Sequence, residues 1–262
     1  MQVALVQFAA TTDPVANLEL ADRLLKGFDE ADLALLPEAA MHDFGPPELP
    51  LGPVAQPLDG PFVAGLAAIA RSRGAAVIAG MFERADDPDR PYNTLVVIGA
   101  DGALLASYRK THLFDSFGHR ESDKLSPGRP HPVTVDLAGV RVGLLTCYDL
   151  RFPEQARALV DAGAQLLAIP AAWVSGPLKE DQWTTLLRAR AIENTVYVAG
   201  AAQCGPQYCG RSALVDPMGV VVAGLVEAEG VVSGPVELDR VTDVRERNPA
   251  LQHRRWTVVP RD

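Results

Sequence analysis

Three short apolar runs, each stopping at a different reactive side chain, constrain this chain more than any other feature. Leu33-Ala34-Leu35-Leu36 stops at Pro37-Glu38. Ala103 to Tyr108, entered through an Asp101-Gly102 turn, stops at Arg109-Lys110, and Val142 to Thr146 stops at Cys147. Apolar runs this short and unbroken read as strands buried on both faces, which belong in sheets covered by helices. After Cys147 the chain turns through Tyr148 to Phe152, and Pro153-Glu154 opens an Ala-rich helix with Gly163 beyond its end. Cys147 therefore occupies a tight strand-to-helix turn, where the following backbone N–H groups have no ladder partners.

That turn admits two readings: a presented nucleophile beside oxyanion donors, or a small buried hydrophobe, the usual state of a free cysteine. The other two runs separate them. If the three strands run parallel, Glu38, Lys110 and Cys147 emerge together at one edge of a sheet, where open α/β sheets bind ligands. A thiol, a carboxylate and an ammonium are what thiol acyl transfer needs. The sulfur attacks a carbonyl carbon, the carboxylate moves the proton, and the cation holds the oxyanion. No G-x-S-x-G elbow occurs, which disfavours a serine hydrolase.

Composition narrows the class. A chain of 262 residues that is 48% hydrophobic can bury the core of one large α/β domain, residues 1–262. A net charge of −9 argues against nucleic acid as a partner. No apolar stretch is long enough to span a membrane, and the N-terminus lacks a basic region ahead of an apolar one, so a cytoplasmic location is expected. Three cysteines suggest reduced thiols. Cys204 and Cys209 lack two further ligands at zinc spacing, so no metal is expected, and the acyl-transfer chemistry requires no cofactor.

Along the chain, strands are expected at Gln2 to Phe8, Ala75 to Phe82, Tyr92 to Ile98, Gln165 to Ile169, Thr195 to Ala202, Ser212 to Val215, Val220 to Ala223 and Gly230 to Val236. Helices are expected at Asn17 to Phe28, Phe62 to Ser72, Asp181 to Asn194 and Val241 to Arg247. Of two long irregular stretches, Met41 to Pro61 reads as a pocket wall and Thr111 to Pro132 as another loop. The strand ending at Ile169 delivers Trp173 to the same rim. The tail looks too apolar at Trp256, Val258 and Val259 to stay in solvent.

The motifs LLPE at Leu35 to Glu38, YRKTHLFD at Tyr108 to Asp115, RESDKLSPG at Arg120 to Gly128 and LLTCYDLRFPE at Leu144 to Glu154 resemble those of the carbon–nitrogen hydrolases of the nitrilase superfamily. The resemblance runs almost end to end. It implies an α/β fold of four layers, an α-β-β-α sandwich, that pairs into a homodimer or higher homo-oligomer. It also implies a Glu38, Lys110 and Cys147 triad with Glu121 as a second carboxylate. Lys110 and the Tyr148 N–H would hold the oxyanion during hydrolysis of a small-molecule amide through a thioester. Arg151 and Trp173 are candidates for substrate binding, although Arg151 could equally be fixed by a nearby acid. His112 is expected to bond locally beneath the site.

The segment from Ala171 to Gly205 and the HLFDSFGHRES loop look most like the deaminated glutathione amidases. That likeness implies a cationic pocket for a carboxylate-bearing substrate, with Arg151, Lys179 and Arg211 as candidates. ω-Amidases for 2-oxoglutaramate, N-carbamoyl hydrolases and short aliphatic amidases share the trio. A non-hydrolytic acyl carrier or binding subunit would retain the same fold.

Overall fold

The computed structural model describes residues 1–259. Twelve strands form two six-stranded sheets among these residues. The first contains β1 (Gln2–Gln7), β2 (Leu33–Leu35), β3 (Ala76–Glu83), β4 (Tyr92–Ile98), β5 (Leu104–Arg109) and β12 (Gly230–Pro235), in the order β12-β1-β2-β3-β4-β5. The second contains β6 (Thr134–Leu137), β7 (Val140–Leu144), β8 (Leu166–Ala171), β9 (Tyr197–Ala202), β10 (Ala213–Val215) and β11 (Val221–Gly224), in the order β11-β10-β9-β8-β7-β6. Each sheet has three central parallel strands, β1-β2-β3 and β7-β8-β9, flanked by antiparallel ones.

Period-two alternation explains why the strands read as continuous apolar runs. Along β1, Ala4 and Val6 face a core shared with α1 (Pro14–Leu24) and α2 (Pro61–Arg73), whereas Val3 and Leu5 face the second sheet. Leu144, Leu166, Ala168 and Ala199 meet them across the gap between the sheets. On the far side, Leu145, Leu167 and Val198 pack on α3 (Pro153–Asp161) and α4 (Lys179–Asn194). The layers are thus helix, sheet, sheet, helix. A last helix, α5 (Leu238–Arg247), places Val241 in the inter-sheet core.

Four details depart from the sequence expectations. The first helix begins at Pro14 rather than Asn17, because Asp13 caps it by accepting from the N–H groups of Val15 (2.9 Å) and Ala16 (3.3 Å). The β6–β7 hairpin was not anticipated; its turn places Ala138 and Gly139 at φ 44° and 79°, and Ala is a weak signal for such a turn. β5, expected to be buried, is a sheet edge with Leu104 and Leu105 exposed. Trp256 and Val259 are exposed in the single chain, while Pro260, Arg261 and Asp262 lie outside the described residues. No helix among the described residues is long and apolar enough to cross a membrane.

Candidate active site

Glu38, Lys110 and Cys147 do meet, but not at one edge of one sheet. Glu38 follows β2 and Lys110 follows β5, both in the first sheet, whereas Cys147 follows β7 in the second. β5 is two antiparallel steps from β3, so it points the same way as β2. The site lies where the ends of two stacked sheets converge.

Glu38 is held by the backbone around it. Gly80 of β3 donates its N–H to Pro37 O (3.1 Å) and accepts from Met41 N (3.1 Å), pinning the turn against the strand. A Cβ at Gly80 would lie 2.5 Å from Ala39 N and 2.7 Å from Glu38 Cα, so only glycine lets the turn approach so closely. Ala39 completes the turn at φ 55°. The carboxylate is 1% exposed and accepts from Asn93 Nδ2 (2.7 Å), Lys110 Nζ (3.0 Å) and, from the other sheet, Ala172 N (2.6 Å). Gln203, following β9, donates to Glu38 O (3.0 Å). The acid is therefore tied to both sheets.

Lys110 Nζ also donates to both oxygens of Glu121, at 3.0 and 2.7 Å. Glu121 lies on a single 3-10 turn, Glu121–Asp123, and accepts from Phe114 N (2.6 Å) and Asn93 Nδ2 (3.2 Å). Its side chain is only 8% exposed, so it is not a solvated loop carboxylate. Two carboxylates thus share one ammonium. Burial pulls the Lys110 pKa down, but Glu121 and then Glu38 outweigh it and hold the ammonium well above its usual range. Glu121 is pushed up by burial, partly opposed by Lys110 and reinforced by the charge of Glu38.

Cys147 opens a 3-10 helix, Cys147–Arg151, at φ 47°, a left-handed conformation that costs a non-glycine residue about 1–3 kcal/mol. Reciprocal bonds hold it there: Thr146 N donates to the Asp149 carboxylate and Asp149 N donates to Thr146 O (2.9 Å), while Thr146 Oγ1 has no partner among the described residues. Asp149, fully buried, accepts from Thr146 N (2.9 Å), Tyr108 Oη (2.7 Å), His112 N (3.1 Å) and His112 Nδ1 (2.8 Å). His112 stacks on Phe152 at 3.7 Å, the local bonding expected of it. Burial, followed by the facing Glu38 charge, pushes the Cys147 thiol well up, and Lys110 only partly opposes them.

Glu38, Lys110, Glu121 and Cys147 line one end of a cavity of about 610 Å³, together with Phe114 and Tyr208. Tyr148, Arg151 and Trp173, expected around the substrate, do not line it. The Tyr148 ring instead packs on Phe114 and Phe152. Its N–H donates to no acceptor among the described residues, because the first turn of a helix leaves such groups free. Trp173 is 2% exposed, with Nε1 donating to Lys179 O (2.8 Å). Arg151 is bound not to an acid but to Gln182 Oε1 (2.6 Å), its guanidinium 4.9 Å from the Trp173 ring. Arg211 pairs with Glu180 and Glu227.

The expectations missed Asn93, which bonds both carboxylates; its signal was a lone amide in the otherwise apolar run Asn93 to Ile98. They also missed Asp149, visible only as an acid three residues beyond a Thr. No group of three or more His, Cys, Asp or Glu able to hold a metal ion occurs among the described residues.

Residues 2–246 match the carbon–nitrogen hydrolase family. This chain belongs to that family. The hydrolase is 39% identical to the deaminated glutathione amidase of Escherichia coli O157:H7, over 98% of each chain. It is 37% identical to the rat deaminated glutathione amidase, over 97% of this chain and 82% of the relative. Among solved structures it superposes on a carbon–nitrogen hydrolase superfamily protein of Xanthomonas campestris with an arsenic adduct in its active site. The TM-score is 0.88, with 32% identity over 99% of each chain. An amidase of Nesterenkonia, in which acrylamide has added to the active-site cysteine, aligns with TM-score 0.79 and 29% identity over 96% of this chain and 99% of that one. Family and relatives make this chain an amidase that hydrolyses carbon–nitrogen bonds other than peptide bonds.

Proposed function

We propose that the chain hydrolyses the amide of deaminated glutathione through a thioester on Cys147. The observation that carries the mechanism is the buried cluster in which Lys110 Nζ lies 3.0 Å from Glu38 and 2.7 Å from Glu121, with Cys147 on the same cavity wall. Glu38 takes the thiol proton as sulfur attacks the amide carbon. Lys110 and the free Tyr148 N–H hold the oxyanion. Glu38 returns the proton to the departing amine, then activates the water that cleaves the thioester. Glu121 and Asn93 fix the Lys110 ammonium and the Glu38 carboxylate.

The substrate assignment rests on the amidase-named relatives and on a cavity roomy enough for a peptide-sized amide. We further propose one domain over residues 1–262, acting in the cytoplasm as a homodimer in which the exposed Trp256 and Val259 become covered. Steady-state kinetics on deaminated glutathione, 2-oxoglutaramate and a simple aliphatic amide test the substrate. Deaminated glutathione should lead by at least about tenfold in kcat/KM, roughly 1.4 kcal/mol. A smaller margin discards it.

A further inference from the structure

Two walls of the cavity that holds Cys147 differ in how they are held in place. The wall from the second sheet is a ribbon anchored at both sides. Val174 and Tyr208 form an antiparallel bridge, Ser175 N donates to Gln207 O (2.9 Å), and Cys209 N donates to Trp173 O (3.0 Å). The stretches that leave β8 and β9 therefore hold each other. The wall from the first sheet, residues 44–47, belongs to no strand or helix. Its two consecutive prolines make it stiff within itself, but its position depends on what ties it down.

Those ties are few. Lys124 Nζ donates to Phe44 O (3.1 Å) and Pro46 O (3.3 Å), and the Phe44 ring meets Phe82 edge-on at 5.2 Å. Gly45 N donates to Asp43 Oδ2 (3.0 Å), while Asp43 Oδ1 accepts from Tyr208 Oη (2.8 Å). Among the described residues this last contact is the one hydrogen bond between residues 41–61 and the ribbon. Asp43 is itself fixed, its N–H donating to Thr11 O (2.9 Å). Burial, and then the Asp43 charge, push the Tyr208 phenol well up, so the hydroxyl stays protonated and donates. Packing alone does not call for this pair. A phenylalanine ring fills the same place, and drawing a carboxylate out of water beside a cavity is costly unless its bonds matter.

We propose that the Tyr208–Asp43 bond is a specificity-determining latch that holds residues 44–47 against the ribbon and so limits the bulk of the amide that reaches Cys147. Released from Tyr208, Asp43 and the stiff segment beyond it turn outward about the Lys124 tie, and the cavity widens. Tyr208 is thus a positioning residue, acting on substrate through the opposite wall; this rests on the amidase reading of the site and names the substrate property, girth, that the wall selects.

Propanamide and 3-phenylpropanamide share an acyl chain and differ by one phenyl ring. In Tyr208→Phe, which keeps the ring and removes the bond, kcat/KM for the second relative to the first should rise about tenfold, mainly through KM. An equal change in both, or a fall in the ratio, would mark a packing role and overturn the latch. Asp43→Ala should raise the ratio at least as far, and adding Tyr208→Phe to it should change nothing further. Additive effects would show the two side chains acting separately and overturn the shared bond. Alkylation of Cys147, followed by mass spectrometry, reads access without turnover. Its rate with N-phenylmaleimide relative to N-methylmaleimide should rise about tenfold in Tyr208→Phe, and an unchanged ratio overturns the proposal. A raised alkylation ratio in a protein whose wild type releases ammonia from no amide would sink the amidase reading and leave the latch standing.

Discussion

Two charge clusters lie near Cys147, and they are built on opposite plans. Around Lys110 every charge is answered: one ammonium, two carboxylates, and Asn93, Phe114 N and Ala172 N filling the remaining carboxylate positions. Around Lys179 two cations face only aromatic rings and an amide. A group that must stay in place through many turnovers is best fixed by partners the protein itself supplies. A group that must recognise a ligand is best left wanting one. The first cluster is complete within the protein, and the second is not.

The comparison can be broken first at the sulfur the clusters share. Cys147→Ala should keep its fold, checked by circular dichroism, and lose hydrolysis by at least about 10⁴-fold; measurable turnover would remove Cys147 from the reaction. Next comes the answered cluster. Lys110→Met leaves two buried carboxylates facing each other, which should lower unfolding stability by about 3–5 kcal/mol and abolish activity. The pH dependence has a definite sign. Carboxyl groups whose folded pKa lies above the unfolded value bind protons more tightly when folded, so stability is fullest below the unfolded pKa and falls as pH rises through the folded one. Glu121 already has a raised pKa with Lys110 present. The Tm gap between Lys110→Met and wild type should therefore narrow from about pH 7 to about pH 5. A constant gap would mean the carboxylates are not coupled through Lys110.

Smaller effects sharpen the contrast. Asn93→Ala removes the donor shared by Glu38 and Glu121 and should lower kcat about 10- to 100-fold with little change in KM. Arg211, paired with Glu180 and Glu227 near the surface, belongs to neither cluster. Arg211→Ala should change stability by no more than about 0.5 kcal/mol, with selectivity for carboxylate-bearing amides unaltered. A large loss of that selectivity would give Arg211 a recognition role.

Much of the answered cluster was legible in the sequence, because each member sits at the end of a strand and each strand is an uninterrupted apolar run. Which sheet a strand joins was not legible. A run buried on both faces looks the same in either layer, so Glu38 and Cys147 were assigned to one edge although they stand on two. β5 was misread for a related reason: Leu104 and Leu105 are apolar whether covered or not. Asn93 escaped differently, and the burial of Lys179 did too, although Lys179 itself was among the candidate cations. An amide in a strand and a lysine opening a helix are unremarkable by type, and their burial depends on contacts with residues far away in the chain. Tyr148 and Trp173 were expected around the substrate, but their rings pack against neighbouring side chains and do not line the cavity.

Because Glu38 is bonded to Ala172 and Gln203 across the gap between the layers, competence for acyl transfer is a late event in the life of the polypeptide. A chain still being synthesised displays its acid and its ammonium long before its sulfur, and the sulfur before β12 has closed the first sheet beside β1. Regain of turnover after denaturation should therefore trail the recovery of helical and strand signal, timing the docking of the two layers.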